Sequence, residues 1–186
     1  MDLQQPLSVE NVTVTTGVDQ ELDLSALVLG LGSSECELDR DVGLTYQPDG
    51  LETTAVVYRS GKVVCMGAQS VATARASVGS LLTRLNTLGI DVPADPDVPV
   101  TNIVFSALLR GRLDLNAVAV ELGFEHIEYE PEQFSALIYR PERVDVVVLM
   151  FGSGSVIITG GTDDSHARLA LDALTDKLTA SGHSRP

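Results

Sequence analysis

The chain has 186 residues, enough for one compact domain or two small fused units with a hydrophobic core. Its 26 acidic side chains outnumber 12 basic ones for a formal net charge of −14, while 44% hydrophobic residues exclude a disordered acidic chain. The longest apolar run, residues 146–151, is strand-sized, far below the roughly 18 residues that span a bilayer.

Cys36 and Cys65 form neither a CxxC motif nor a disulfide framework. The opening MDLQQPLSVE has no basic lead and no apolar signal segment, so a cytoplasmic location without a membrane partner is expected. Only Lys62 and Lys177 are lysines. The acidity reads as a solvated surface or, more sharply, as adaptation to a salt-rich (halophilic) cytoplasm. By charge alone there is no footprint for a polyanion.

A first strand is expected over residues 9–16, where Val12, Thr13, Val14 and Thr15 alternate as on a half-buried strand. Asp23 or Ser25 then caps a short helix ending at Leu31. Strands follow over residues 43–47, 53–59 and 62–66, the last two joined by a tight Ser60-Gly61 turn. A long helix closes this stretch, with Val71, Ala74, Val78, Leu81, Leu82 and Leu85 at helical spacing. Residues 94–99, ADPDVP, read as an exposed linker.

Beyond the linker the chain repeats itself. Asn102, Asp114 and Leu115 stand 91 residues after Asn11, Asp23 and Leu24, whereas Phe151 and Gly154 stand 93 after Tyr58 and Gly61. The two-residue difference is expected in a loop over residues 32–37. A closing helix recurs with Ala167, Leu171, Leu174 and Leu178, from a start at Thr162 or Asp163. Repeats over residues 7–90 and 99–181, each running strand, short helix, several strands, long helix, make an α+β fold.

Antiparallel strands with helices on one face leave the other face uncovered. Counting by twos puts Val56 with Tyr58, Val64 with Met66, Leu149 with Phe151, and Ile157 with Thr159. The opposite parity, including Val57, Val63, Val148 and Val156, is apolar as well. A sheet apolar on both faces needs a second cover, either a closed core or dimer, or a ligand.

No enzyme is expected. SGK at residues 60–62 and GSGS at 152–155 miss the GxxxxGK[ST] phosphate loop and fit hairpin turns. His126, His166 and His183 stand in no metal-ligand spacing, and nothing assembles a nucleophile with a base and an orienting group. No cofactor or metal is called for.

YEPEQFSALIYR at residues 129–140 and VLMFGSGSVIITGG at 148–161 resemble the second repeat of TATA-box-binding proteins, those of archaea especially. VTNIV at 100–104 and RLDLNAVA at 112–119 resemble the opening of that repeat, and the likeness extends over roughly residues 7–178. The resemblance implies two pseudosymmetric repeats sharing a curved, saddle-like, ten-stranded antiparallel sheet with helices on the convex face. It also implies an initiation factor whose concave face binds and bends the minor groove of A·T-rich promoter DNA. TATA-box-binding proteins are themselves a type case of apolar wedges that unstack base steps.

Minor-groove A·T pairs present only acceptors over a shallow apolar floor. By resemblance, Asn11 and Asn102 donate to those acceptors, with Thr159 as hydroxyl partner. Val56, Val64, Val104, Leu149 and Ile157 cover the floor. Phe134 and Phe151 form the second repeat's wedge pair, Tyr58 takes one wedge position in the first, and Arg140 contacts phosphate. Tyr129, Glu130, Pro131 and Glu132 match the loop gripped by transcription factor B, through which RNA polymerase is engaged indirectly. A homodimer of DNA-free protein is one state that such a face allows, and the sequence leaves the oligomeric state open.

The first repeat departs from the pattern. Asp41 falls where the other phenylalanine belongs, with Val42 or Leu44 taking its place under a shifted alignment. Met66 replaces the threonine, Thr13 an aliphatic floor residue, and Gln47 stands where the second repeat has Arg140. Cys36-Glu37-Leu38-Asp39 does not match the partner loop. These departures define an alternative, a divergent paralogue that regulates through protein contacts and binds DNA weakly.

Overall fold

The computed structural model describes residues 3–39, 41–47, 50 and 52–180; His183, and Ser181 at the expected end of the second repeat, lie outside them. In chain order the elements are β1 (Leu3–Gly17), α1 (Leu24–Leu31), β2 (Cys36–Asp39), β3 (Gly43–Tyr46), β4 (Thr54–Val57), β5 (Lys62–Ala68) and α2 (Val71–Thr87). There follow β6 (Val100–Leu109), α3 (Leu115–Leu122), a 3-10 turn (Phe124–His126), β7 (Ile127–Glu128), β8 (Leu137–Tyr139), β9 (Val147–Met150), β10 (Ser155–Thr159) and α4 (Asp164–Ala180). The ten strands are hydrogen-bonded in the order β2-β3-β4-β5-β1-β6-β10-β9-β8-β7.

Two compact units divide the chain. One is Asn11–Thr101; the other joins the residues up to Glu10 to those from Asn102 onward. In the first, β5 runs antiparallel to β1, and β4, β3 and β2 add outward in turn. Val12, Val14, Val57, Val63 and Cys65 are buried, as are Ala74, Val78, Leu81 and Leu85 of α2, which packs on β5. Each such side chain contributes about 1.5–3 kcal/mol on burial, so this face is the unit's core. Burial also pushes the Cys65 thiol above its ordinary range.

Capping fixes the short helix. Asp23 Oδ1 accepts from the N–H groups of Ser25 and Ala26 at 3.0 and 3.2 Å, so Asp23 is the cap and Ser25 is not. Arg84 of α2 then ties three elements together. Its guanidinium donates to Glu35 Oε2 at 2.7 Å, to the Tyr46 hydroxyl at 2.5 Å and to the Leu31 carbonyl, while lying over the Tyr46 ring.

The second unit repeats the plan. Asp114 caps α3 through the N–H groups of Asn116 and Ala117. Val148, Met150, Val156 and Ile158 are buried with Ala167, Leu171, Leu174 and Leu178 of α4. Asp163 opens α4, its carboxylate accepting from the Ser165 N–H at 2.8 Å. Hydrogen bonds from the Ser165 hydroxyl, first, and from that N–H hold this carboxyl below its usual range.

Three expectations are corrected. The first strand begins at Leu3 rather than at residue 9. Cys36 to Asp39 form a strand, β2, rather than a loop. The two-residue difference between repeats lies after that strand and not over residues 32–37. Cys36 faces Tyr46 whereas Ile127 faces Tyr139, so the connection before β8 is two residues longer than that before β3. Strand register is fixed by the buried parity, which leaves a length change to the turn. The shorter turn is closed by Asp39, whose Oδ1 accepts from the N–H groups of Asp41 and Val42 at 2.8 and 3.2 Å.

Candidate nucleic-acid interface

The parity opposite the helices is open in both units. In the first it carries Asn11, Thr13, Val56, Tyr58 and Val64, all half-buried, and the more exposed Met66. In the second it carries Asn102, Val104, Leu149, Phe151, Ile157 and Thr159, again half-buried. None of these side chains is sealed into a core. The closed-core reading of this face therefore fails within each unit.

Local backbone geometry orients the asparagines. Buried positions in β5 run Val63, Cys65, then Ala68, and the β1–β5 register shifts between Val12 and Val14. The additional residue is a bulge, and Gly67 within it has φ +92°, a conformation that glycine adopts without strain. A Cβ there would also come within 2.8 Å of the Glu52 carbonyl. The turned Gly67 N–H donates to Asn11 Oδ1 at 2.6 Å. In the second unit Gly160, at φ +102°, donates to Asn102 Oδ1 at 2.8 Å.

An N–H can only face an acceptor, so Oδ1 points to the glycine and Nδ2 points away. Among the described residues no protein acceptor takes either Nδ2. Each unit thus presents an NH2 donor on a largely apolar face. Thr159 Oγ1 gives its proton to Asn102 Oδ1 at 3.2 Å, so the hydroxyl acts by steadying the asparagine. Met66 leaves Asn11 without that second donor.

The ring pair is present in the second unit. Phe134 and Phe151 meet edge to face, centroids 6.4 Å apart and planes at 74°. In the first unit Tyr58 has no ring opposite it. Leu44 is fully buried and takes no part, whereas Val42 is 54% exposed and lines the same concavity as Tyr58 and Asp41. The shortened turn therefore offers Val42 as the apolar neighbour of Tyr58, with the Asp41 carboxylate beside it.

Polar groups flank these faces unevenly. Arg140 is exposed and pairs with Glu128 at 3.3 Å, so a phosphate would have to compete for it; Gln47 is exposed and uncharged. The Glu130 carbonyl accepts from the N–H groups of Gln133 and Phe134, each at 2.9 Å, so the loop bearing Tyr129, Glu130, Pro131 and Glu132 also holds Phe134. His126 lies 3.1 Å from Glu142 and 3.6 Å from Glu125.

Sequence reasoning missed two features. One is the pair of glycines, Gly67 and Gly160, each following a strand's last outward residue; their positions 93 residues apart were the available signal. The other is Glu10, whose carboxylate accepts from Ser106 at 2.5 Å and Ser8 at 3.0 Å and is thereby held below the usual carboxylate range. Among the described residues no cluster of three His, Cys, Asp or Glu could hold a metal. No helix there is long and apolar enough to cross a membrane.

Residues 6–88 and 97–180 match the family described as Transcription factor TFIID (or TATA-binding protein, TBP). The TATA-box-binding protein of Natronomonas pharaonis is 42% identical over 97% of each chain, and that of Haloarcula marismortui is 41% identical over 98% of each. TATA-box-binding protein B of Halobacterium salinarum is 43% identical over 97% of each. Among solved structures, Methanococcus jannaschii TBP aligns with a TM-score of 0.79 at 34% identity, covering 94% of this chain and 98% of that one. Two matched repeats, a ten-stranded antiparallel sheet and four helices place the chain in the TATA-binding protein family, a family of transcription factors and not of enzymes.

Proposed function

We propose that this protein binds the minor groove of A·T-rich promoter DNA through the open strand faces, and that it serves transcription initiation by recruiting transcription factor B. The observation that carries this reading is the fixed amide orientation of Asn11 and Asn102, which aims NH2 donors outward among aliphatic side chains. A·T pairs offer N3 and O2 acceptors in that groove, whereas guanine adds a protruding donor. Val56, Val64, Val104, Leu149 and Ile157 pack on the floor, Phe134 and Phe151 enter a base step, and Tyr58 with Val42 forms a smaller wedge. Arg140 reaches phosphate once released from Glu128.

Transcription factor B meets Tyr129, Glu130, Pro131 and Glu132, where the carboxylates attract a basic surface. RNA polymerase is then reached indirectly. The names of the haloarchaeal relatives, TATA-box-binding proteins, support the DNA partner.

A gel shift on an A·T-rich promoter duplex in molar potassium chloride, with and without transcription factor B, tests this. A binary complex that the factor supershifts is expected. Absence of any complex, even with the factor present, contradicts it. Met66, Gln47 and the shortened turn favour the alternative of a regulator that binds DNA weakly; a complex seen only with the factor would select it. A dimer in the DNA-free state would use the same open faces, so DNA would compete with it.

A further inference from the structure

Outside the strand faces, two strongly exposed apolar side chains stand together beside α3. Val120 on its outer side is 68% exposed and Phe124, opening the 3-10 turn, is 70% exposed. With Ala119 and Ile127 they line a groove walled by Glu128 and Glu130. This exposure is built in. Gly123, at φ +88°, ends α3 and turns the chain so that Phe124 faces outward. The turn is then pinned from behind, where the Arg140 N–H donates to the His126 carbonyl at 2.9 Å and the His126 ring pairs with Glu142.

The rim is acidic: Glu128 and Glu130 line it, and Glu121 and Glu125, next in the chain to Val120 and Phe124, are exposed as well. The nearby basic side chains are already engaged, Arg140 with Glu128 and His126 with Glu142. At low salt such a rim repels phosphate, which disfavours DNA. It then also repels a second copy of a chain whose net charge is −14, because two such grooves would set glutamates against glutamates. In the first repeat the position of Phe124 is held by Ser33, so the feature is one-sided.

We infer that this groove docks a lysine- or arginine-rich segment of a protein partner carrying an apolar anchor, which seats between Val120 and Phe124. The groove runs into the acidic loop, since Glu130 belongs to both. The inference therefore rests on the reading that transcription factor B engages that loop, and extends its contact onto α3. The physical need is clear in concentrated salt. At 1 M the screening length is about 3 Å, so glutamates alone give little lasting attraction. Apolar burial is not screened.

The test measures binding of purified transcription factor B to the full-length protein, free and on an A·T-rich duplex, at low and molar potassium chloride. Phe124→Ser is expected to weaken the factor's binding at least tenfold at both salt concentrations, with DNA affinity and Tm unchanged, and Phe124→Leu to restore it. The double variant Glu130→Lys, Glu132→Lys is expected to lose most at low salt. If the double variant weakens binding while Phe124→Ser does not, the groove is refuted and the loop reading stands. If neither does, or the unaltered protein does not bind the factor, the loop reading falls and the inference with it. A wild-type dimer in light scattering that Phe124→Ser dissociates would make a second copy the occupant and overturn the proposal.

Discussion

The backbone N–H of Gly160 donates to Oδ1 of Asn102 across 2.8 Å, and that bond decides which end of the amide faces outward. Asp at this position keeps the acceptor for Gly160 but replaces the outward NH2 with a second carboxylate oxygen. Asn102→Asp is therefore expected to leave Tm nearly unchanged and to cost DNA affinity by about 1–3 kcal/mol or more, about fivefold to over a hundredfold. Fluorescence anisotropy on an A·T-rich duplex, beside a thermal melt, checks both halves. Undiminished binding would remove the asparagine from the proposed interface.

The first unit lacks the hydroxyl that steadies Asn102. Met66→Thr supplies it at a position already 37% exposed, so little packing is lost. One neutral hydrogen bond is worth about 0.5–1.5 kcal/mol, so DNA affinity should rise severalfold, up to about tenfold. The same anisotropy titration reads it. A loss of affinity would mean that the methionine itself packs against the ligand.

Wedge strength should differ between units. Phe151 has Phe134 against it, whereas the concavity that Tyr58 shares with Val42 holds no second ring. Phe151→Ala is expected to reduce affinity and end-to-end DNA bending more than Tyr58→Ala, and Val42→Phe to increase bending. Fluorescence energy transfer across a doubly labelled duplex reports the bend. Equal losses from the two alanine variants would contradict the asymmetry.

How much of this was legible in the sequence follows from which forces act locally. Asp23, one of two caps that the sequence offered, announced its helix because a cap is a contact over two or three residues, and Asp114 followed as its counterpart in the repeat. The parity of Val56 and Val64 against Val57 and Val63 announced the two faces because side chains alternate along a strand. β2 was missed because Cys36 to Asp39 is a short edge strand with polar residues, held by its neighbour β3 rather than by its own pattern. Confining the repeat offset to residues 32–37 failed for the same reason. The asparagines' orientation could not be read at all, since it depends on a bulge in β5 that brings Gly67 to Asn11 and on the turned backbone after β10 that brings Gly160 to Asn102.

Charge sets the salt dependence. Each phosphate contact normally costs about 0.9 log unit of affinity per log unit of salt. Here Arg140 is shared with Glu128, Gln47 replaces its counterpart, and the net charge is −14. Apolar contacts must supply most of the free energy, so affinity is expected to fall little, or to rise, between low and molar potassium chloride. A steep conventional decline in an anisotropy series would refute this.

The most direct measurement replaces A·T pairs of a bound duplex with inosine·cytosine pairs. These keep the acceptor-only minor groove of A·T while giving the major groove the pattern of G·C. Affinity within a few fold of the A·T duplex, together with loss on the matching G·C duplex, is the expected result. Binding to the inosine duplex as weak as to G·C would place recognition in the other groove and contradict the account.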